Sequence, residues 1–407
     1  MSLINRVALC LAALAFAVQA APAWAQYGPR PGGDNPAGEG QENPIPRPAG
    51  AAITVPEYIK PGYQMLYMSA SSSESDDANK PGSAGMGYTE YTIVAVLKDK
   101  VLVNTAFYLA PNGVPLTAQG ALDPTTDPRV QLSGASSMAI GEFALKSGGA
   151  MWMTADELKQ LQSGNGVEIN RGPWPYNGRQ VNAVTVTVKG NDHISSSTYN
   201  ADTGEKLTDR NASGPMRRGD TGVNPFNRKH QSQSQLISTR QVDSPLIGAA
   251  WPAWAKTVKT MSYAGTYSMA VPGVQTPPVQ MSLALKFTDR GDGYVIGKST
   301  SQVQGSPPSE SPIMQGPGTA LGYWVHPDVL SKLDQGQIDQ NKTLRTTLTY
   351  QVQDGNLGRL GVFVLTNDAQ TFYAVSAYNL RNGALTYMSH HLADTGTTIE
   401  YTLTGME

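Results

Sequence analysis

Three short blocks recur in the same order along this 407-residue chain, and that repetition constrains the fold more than any other feature. Tyr58-x-Lys60-x4-Met65-x-Tyr67 matches Trp254-x-Lys256-x4-Met261-x-Tyr263 at an offset of 196. The run from Trp152 through Leu158 and Leu161 to Gly164 matches Trp324, Leu330, Leu333 and Gly336 without a gap, at an offset of 172. Tyr199-Asn200-x3-Gly204 matches Tyr378-Asn379-x3-Gly383 at an offset of 179. Repetition at such a period predicts two copies of one structural unit, and the changing offsets put insertions between the blocks.

The middle block predicts a short helix of two to three turns in each copy. Thr154 and Glu157 have the spacing of a capping box, with Met153 and Leu158 placed as a hydrophobic staple. In the second copy Pro327 stands in the first turn, where its missing N–H costs nothing, and Val325 pairs with Leu330. Gly164 and Gly336 are expected to stop the two helices.

Most of the remaining chain reads as strand. Val184, Val186 and Val188 alternate with Thr185 and Thr187, the period of a sheet with one wet face. Similar patterns run over 91–107, broken at Lys98-Asp99-Lys100, and over 281–298, broken at 289–293. Asp354-Gly355-Asn356 between two β-rich runs is a hairpin signal. Ile399 to Leu403 supplies a last strand. The predicted fold is mainly β: two tandem, duplicated antiparallel β-meander domains, each with one short α-helix, after a signal peptide and a disordered leader.

The first 25 residues carry one charge, Arg6, then an apolar run over 7–18 and the small-x-small triplet Ala23-Trp24-Ala25. That pattern predicts a secretory signal peptide over 1–25 and a chain that is periplasmic or secreted in a bacterium. The run is too short to span a bilayer comfortably, so no transmembrane segment is expected after cleavage. The single cysteine, Cys10, lies inside the signal, and its removal takes disulfides, thiolate metal sites and cysteine nucleophiles with it. Residues 26–50 hold six Pro and six Gly and are expected to be a disordered leader. Residues 51–209 and 251–407 are assigned to the two copies. The polar stretch 210–250, with Gln231-Ser232-Gln233-Ser234-Gln235, is read as a linker.

Tyr199-Asn-Ala-Asp-Thr-Gly204 and Tyr58-Ile-Lys-Pro-Gly62 resemble turn motifs of uncharacterised bacterial secreted proteins with tandem β-rich domains of unknown function. The second copy departs from them, with Arg381-Asn382 in place of Asp-Thr and no Pro-Gly after Lys256. The resemblance supports the fold and implies no activity.

Composition excludes several functions. With Arg6 removed the balance is 29 basic residues against 32 acidic, which does not suit counterion-releasing contact with nucleic acid. Asp292-Gly-Tyr-Val-Ile-Gly297-Lys298-Ser299 lacks the first glycine of a phosphate-binding loop and reads as a returning strand. Arg218-Gly219-Asp220 and Arg290-Gly291-Asp292 are turn and linker chemistry. No Gly-x-Ser-x-Gly is present, and Gly134-Ala-Ser136-Ser137 lacks the closing glycine. Acid pairs such as Asp76-Asp77 fall in polar loops, so no catalytic residue is named and catalysis is left open. Among His193, His230, His326, His390 and His391, adjacent His390 and His391 point to opposite faces of a strand. Only Met388 with His390 shares a face, and no metal or other cofactor is assigned.

What remains is a binding reading. Trp152 and Trp324, with Tyr67, Tyr263, Met65 and Met261, are the expected lining for a lipid-like or glycan ligand on a curved sheet face. The same tryptophans equally suit a role in anchoring each helix to its sheet. The alternatives are a structural or protein-interaction module with an envelope protein partner, and a hydrolase or carbohydrate-active enzyme without a recognisable motif.

Overall fold

In the computed structural model, residues 55–407 are described except 75–82, 99, 112, 118–121, 142–150, 217–224, 271–276, 292, 317 and 319. The signal peptide, the leader, Asp76-Asp77, Arg218-Gly219-Asp220 and Asp292 lie outside the described residues.

The chain builds two antiparallel sheets. The first contains β1 (Tyr63–Ser73), β2 (Ser83–Val96), β3 (Lys100–Leu109), β4 (Gln131–Gly141), β5 (Val167–Tyr176), β6 (Arg179–Lys189), β7 (His193–Asn200), β8 (Lys206–Met216) and β9 (Arg228–Gln241). The second contains β10 (Thr260–Met269), β11 (Val279–Gly291), β12 (Tyr294–Val303), β13 (Ser309–Gln315), β14 (Gly336–Asn341), β15 (Thr346–Gly355), β16 (Gly358–Asn367), β17 (Phe372–Asn379), β18 (Leu385–Leu392) and β19 (Thr397–Met406). Their spatial orders are β4-β3-β2-β1-β9-β8-β7-β6-β5 and β13-β12-β11-β10-β19-β18-β17-β16-β15-β14. In each, the first strand pairs with the last, so the connection carrying the helix runs from one edge of the sheet to the other. The helices are α1 (Ala155–Gln160) and α2 (Pro327–Lys332).

The mainly β, duplicated architecture is as the sequence predicts, and the copies agree in detail. Bulges fall at Leu66/Tyr67 and Ser262/Tyr263, and again at Thr198/Tyr199 and Ala377/Tyr378. The Tyr-Asn-x3-Gly block is the turn that receives the crossing segment. Gly204 and Gly383 accept from the Met153 and Val325 amides at 3.0 and 2.9 Å. Both glycines have positive φ, +81° and +76°, and an added Cβ would lie 1.7 and 1.9 Å from the carbonyl oxygens of Met153 and Val325. Only glycine fits both the backbone conformation and the approach.

The helices are shorter than expected, six residues each, and end at Leu161 and Leu333 rather than at the glycines. Their starts follow the sequence: the Thr154 capping box is complete, and Pro327 opens α2 with the His326 ring accepting from the Asp328 amide. Their last carbonyls are taken from the sheet. Arg171 of β5 donates to the Leu158 and Leu161 oxygens at 2.9 Å, and Tyr350 of β15, the corresponding strand of the second copy, donates to Leu330 at 2.6 Å. With that satisfaction supplied from outside, a glycine cap is not needed.

One expectation is corrected. The stretch 210–250 is not a linker: it holds most of β8 and all of β9, and β9 pairs with both β1 and β8. Alternation is invisible there because both sets of residues, Gln and Ser, are polar. The strand still buries Leu236 against Tyr67.

The two sheets share a core. Leu66, Met68, Tyr88, Tyr108 and Leu132 of the first sheet pack with Leu344, Leu365, Phe372 and Ala374 of the second. The first sheet is therefore covered on both faces: Met65 and Tyr67 lie under Trp152, while Leu66 and Met68 meet the other sheet. Around this core runs a polar rim. Arg240 on β9 donates to both Asp339 carboxylate oxygens at 2.8 and 2.7 Å, to the Gln340 carbonyl at 2.6 Å, and to Gln64 at 2.5 Å. Asn341 donates to Glu90 at 2.7 Å, and burial raises the Glu90 pKa against the pull of that donor and of Arg240. Buried Asn367 donates to the Val130 carbonyl.

Candidate functional site

The six residues expected to line a ligand are packed inside the protein. Met65, Tyr67 and Trp152 belong to one buried cluster, and Met261, Tyr263 and Trp324 to another. Trp152 is 1% exposed and Trp324 3%. Tyr67 donates to the Lys206 carbonyl at 2.9 Å and Tyr263 to the Leu385 carbonyl at 3.2 Å, so each tyrosine ties its first strand to the same turn. Trp324 is ringed edge-on by Trp251, Trp254 and Phe287, at centroid distances of 5.4, 5.7 and 5.5 Å. The repeated residues hold the helix crossing on its sheet. The crevice beside Trp324 measures about 10 Å³, room for a single water at most.

Titratable groups in the interior follow the same divergence. Lys206 and Asp209 form a buried ion pair at 3.6 Å with Lys206 over the Tyr199 ring, and Ser197 donates to Asp209 at 2.6 Å. Burial alone would raise the Asp209 pKa, but Lys206, Ser197 and Asn211 hold it below the usual carboxylate range. Burial would lower Lys206, and Asp209 with Tyr199 holds it above its ordinary value. The second copy places Leu385 and Met388 at these positions. Tyr63 donates to Glu205 near Tyr58, whose hydroxyl is buried without a partner.

His390 and Met388 share a face of β18, as the period requires, opposite Ala374 and Ser376. Among the described residues no three His, Cys, Asp or Glu side chains converge as metal ligands. His390 lies edge-on to Phe372 with its Nε2 buried and unbonded, and burial, helped by His391, lowers its pKa from 6.5 to about 4. Above pH 6.5 the imidazole is neutral in both states; between 6.5 and 4 the unfolded chain takes a proton that the folded one refuses. Stability should fall by up to about 3 kcal/mol as pH drops through that window. Denaturant midpoints at several pH values, compared with His390→Gln, isolate the effect, because Glu90 contributes in the opposite sense to both proteins. Equal acid loss in the two proteins would remove His390 as its source.

A second hollow lies elsewhere, on the outer face of the first sheet. It is a groove of about 280 Å³ lined by residues of β1, β2, β8 and β9 and by Phe226. Cross-strand register explains its shape. One row across the face reads Met86, Ala70, Gln233, Arg210, and the next reads Ala84, Ser72, Gln231. Small side chains at Ala70, Ser72 and Ala84 make a floor between taller walls at Met86 and at Arg210 with Phe226. The next row on the same face, Met68 and Tyr88, is buried under the second sheet, so the groove is the uncovered remainder of the face that joins the two sheets. The Arg210 guanidinium lies 4.5 Å from the Phe226 ring centre and makes no hydrogen bond or ion pair among the described residues. The sequence reading missed this site because half of its lining fell in the supposed linker.

Among the sheet edges, β5 pairs only with β6 in the described residues, and it carries Pro173 and Pro175. Prolines remove donors that an added strand would need, which blunts that edge. No described helix is long and apolar enough to cross a membrane.

No protein-family model matches the chain, and no curated protein matches its sequence. Among solved structures it is similar to one from Brucella abortus described as a beta-barrel-like protein of domain of unknown function DUF1849. The identity is 9% and the TM-score 0.15, over 88% of this chain and 99% of that one.

Proposed function

We propose that the chain is an exported, non-enzymatic binding protein of the bacterial cell envelope that holds a small polar ligand, a glycan rather than a lipid, in the groove on its first sheet. The observation that carries this reading is the groove itself. The interiors of both sheets are filled by their own aromatic and aliphatic side chains, whereas the groove presents a guanidinium, amides and hydroxyls over a small apolar floor. A volume of about 280 Å³ is near the lower end for a small-ligand site. An acyl chain would want the reverse arrangement, an apolar tunnel with a polar mouth. The export part of the reading rests on the pattern in residues 1–25.

Native mass spectrometry of the chain taken from the periplasm of a producing bacterium tests both parts. The expected protein begins at Gln26 and carries a stoichiometric saccharide mass. A chain still beginning at Met1 in the cytoplasm would overturn export. A bound mass extractable into organic solvent, lost in no groove variant, would overturn the polar ligand.

A further inference from the structure

The chemistry of the groove carries one step more, resting on the binding reading above. Among the described residues, Arg210 is the only charged side chain of its lining, with no carboxylate beside it. The cation–π contact with Phe226 holds the guanidinium over the ring and leaves its N–H donors without a hydrogen bond among the described residues. That is a pre-organised fork for a planar, singly charged anion, and a carboxylate is the group that matches it in shape and charge.

The neighbouring positions set the rest of the ligand. Gln233 lies beside Arg210 in the same row, exposed and without a hydrogen bond among the described residues, and offers both a donor and an acceptor. The Gln231 amide nitrogen is spent on the Arg228 carbonyl at 3.1 Å, which leaves its oxygen as an acceptor. Ser72 adds a hydroxyl on the same face. Acceptors and donors over a floor of Ala70 and Ala84, with Met86 as the far wall, suit a ring with hydroxyl edges and an apolar face. We infer that the groove binds a carboxylated saccharide, its carboxylate on Arg210, its hydroxyls on Gln231, Gln233 and Ser72, and its ring over the alanine floor. A single cation suits a monoanion; among the described lining residues nothing else would balance a phosphate dianion.

The test is calorimetric titration of the full mature protein with trigalacturonate, its neutral methyl ester, and maltotriose. The expected result is binding of the acid at least about tenfold tighter than either neutral sugar, weakened by added salt. Arg210→Gln should remove that preference, and Phe226→Ala should weaken the acid while leaving the melting temperature unchanged. If the ester and maltotriose bind as well as the acid, or Arg210→Gln binds it as well as the wild type, the carboxylate assignment falls and the glycan reading stands. If a triglutamate peptide binds through Arg210 and no sugar does, both fall. Absence of binding for trigalacturonate and for sialyllactose as a second carboxylated probe overturns the inference.

Discussion

A chain ending at Asp209 is expected to show no cooperative unfolding transition and no native-like dispersion in its amide spectrum. The reason is the place of β9 in the sheet. It is not a terminal edge but the strand that joins the two halves of the strand order, paired on one side with β1 from Tyr63 to Ser73 and on the other with β8. Removing it exposes the donors and acceptors of two central strands and strips Leu236 from the cluster around Tyr67 and Trp152. It also removes Arg240, which spans Gln64 and Asp339. The same cut leaves Leu66, Met68, Tyr88 and Tyr108 without the second sheet, an exposed apolar face that favours aggregation. Circular dichroism with thermal melting and gel filtration check this. A sharp, reversible melt from a monomeric 51–209 fragment would show that β9 is dispensable and that the face needs no cover.

How the sequence announces these features depends on whether one face or two are buried. Strands with one wet face were legible: β6, β11 and β12 lie where alternation put them, and β15 and β16 flank the hairpin that Asp354-Gly355-Asn356 signalled. The duplication was legible too, because the repeated residues share mechanical jobs, Gly204 and Gly383 making room for a backbone and Tyr67 and Tyr263 holding it. The shared core left a quieter trace. Met65-Leu66-Tyr67-Met68 is continuously apolar where its counterpart Met261-Ser262-Tyr263-Ala264 alternates. A strand apolar on both faces is a strand covered on both faces, so the difference between the copies marks which sheet lies in the middle. The groove had no such trace. Its floor and walls come from strands distant in sequence, and its polar half looks like any solvated segment until register sets Gln233 beside Arg210.

Phe372→Ala is expected to destabilise the whole protein, not only the sheet that contains the residue. Phe372 opens β17, is 0% exposed, and packs in the cluster that holds Leu66, Met68, Tyr88 and Tyr108 of the first sheet with Leu365 and Ala374 of its own. Truncating a fully buried phenylalanine removes its transfer free energy and leaves a cavity, together about 3–5 kcal/mol. Because the wall of that cavity is built from both sheets, neither can relax into it without pulling on the other. The ties at its rim, Arg240 to Asp339, Asn341 to Glu90 and Asn367 to Val130, couple the two further. The wild type should therefore melt in one transition, and the variant should melt earlier, still in one. Hydrogen exchange gives the sharper readout: amides of β1 and β2 should lose protection in step with those of β16 and β17. Two resolved transitions, with only the one belonging to β10–β19 shifted by the substitution, would mean that the sheets are stable separately and merely touch.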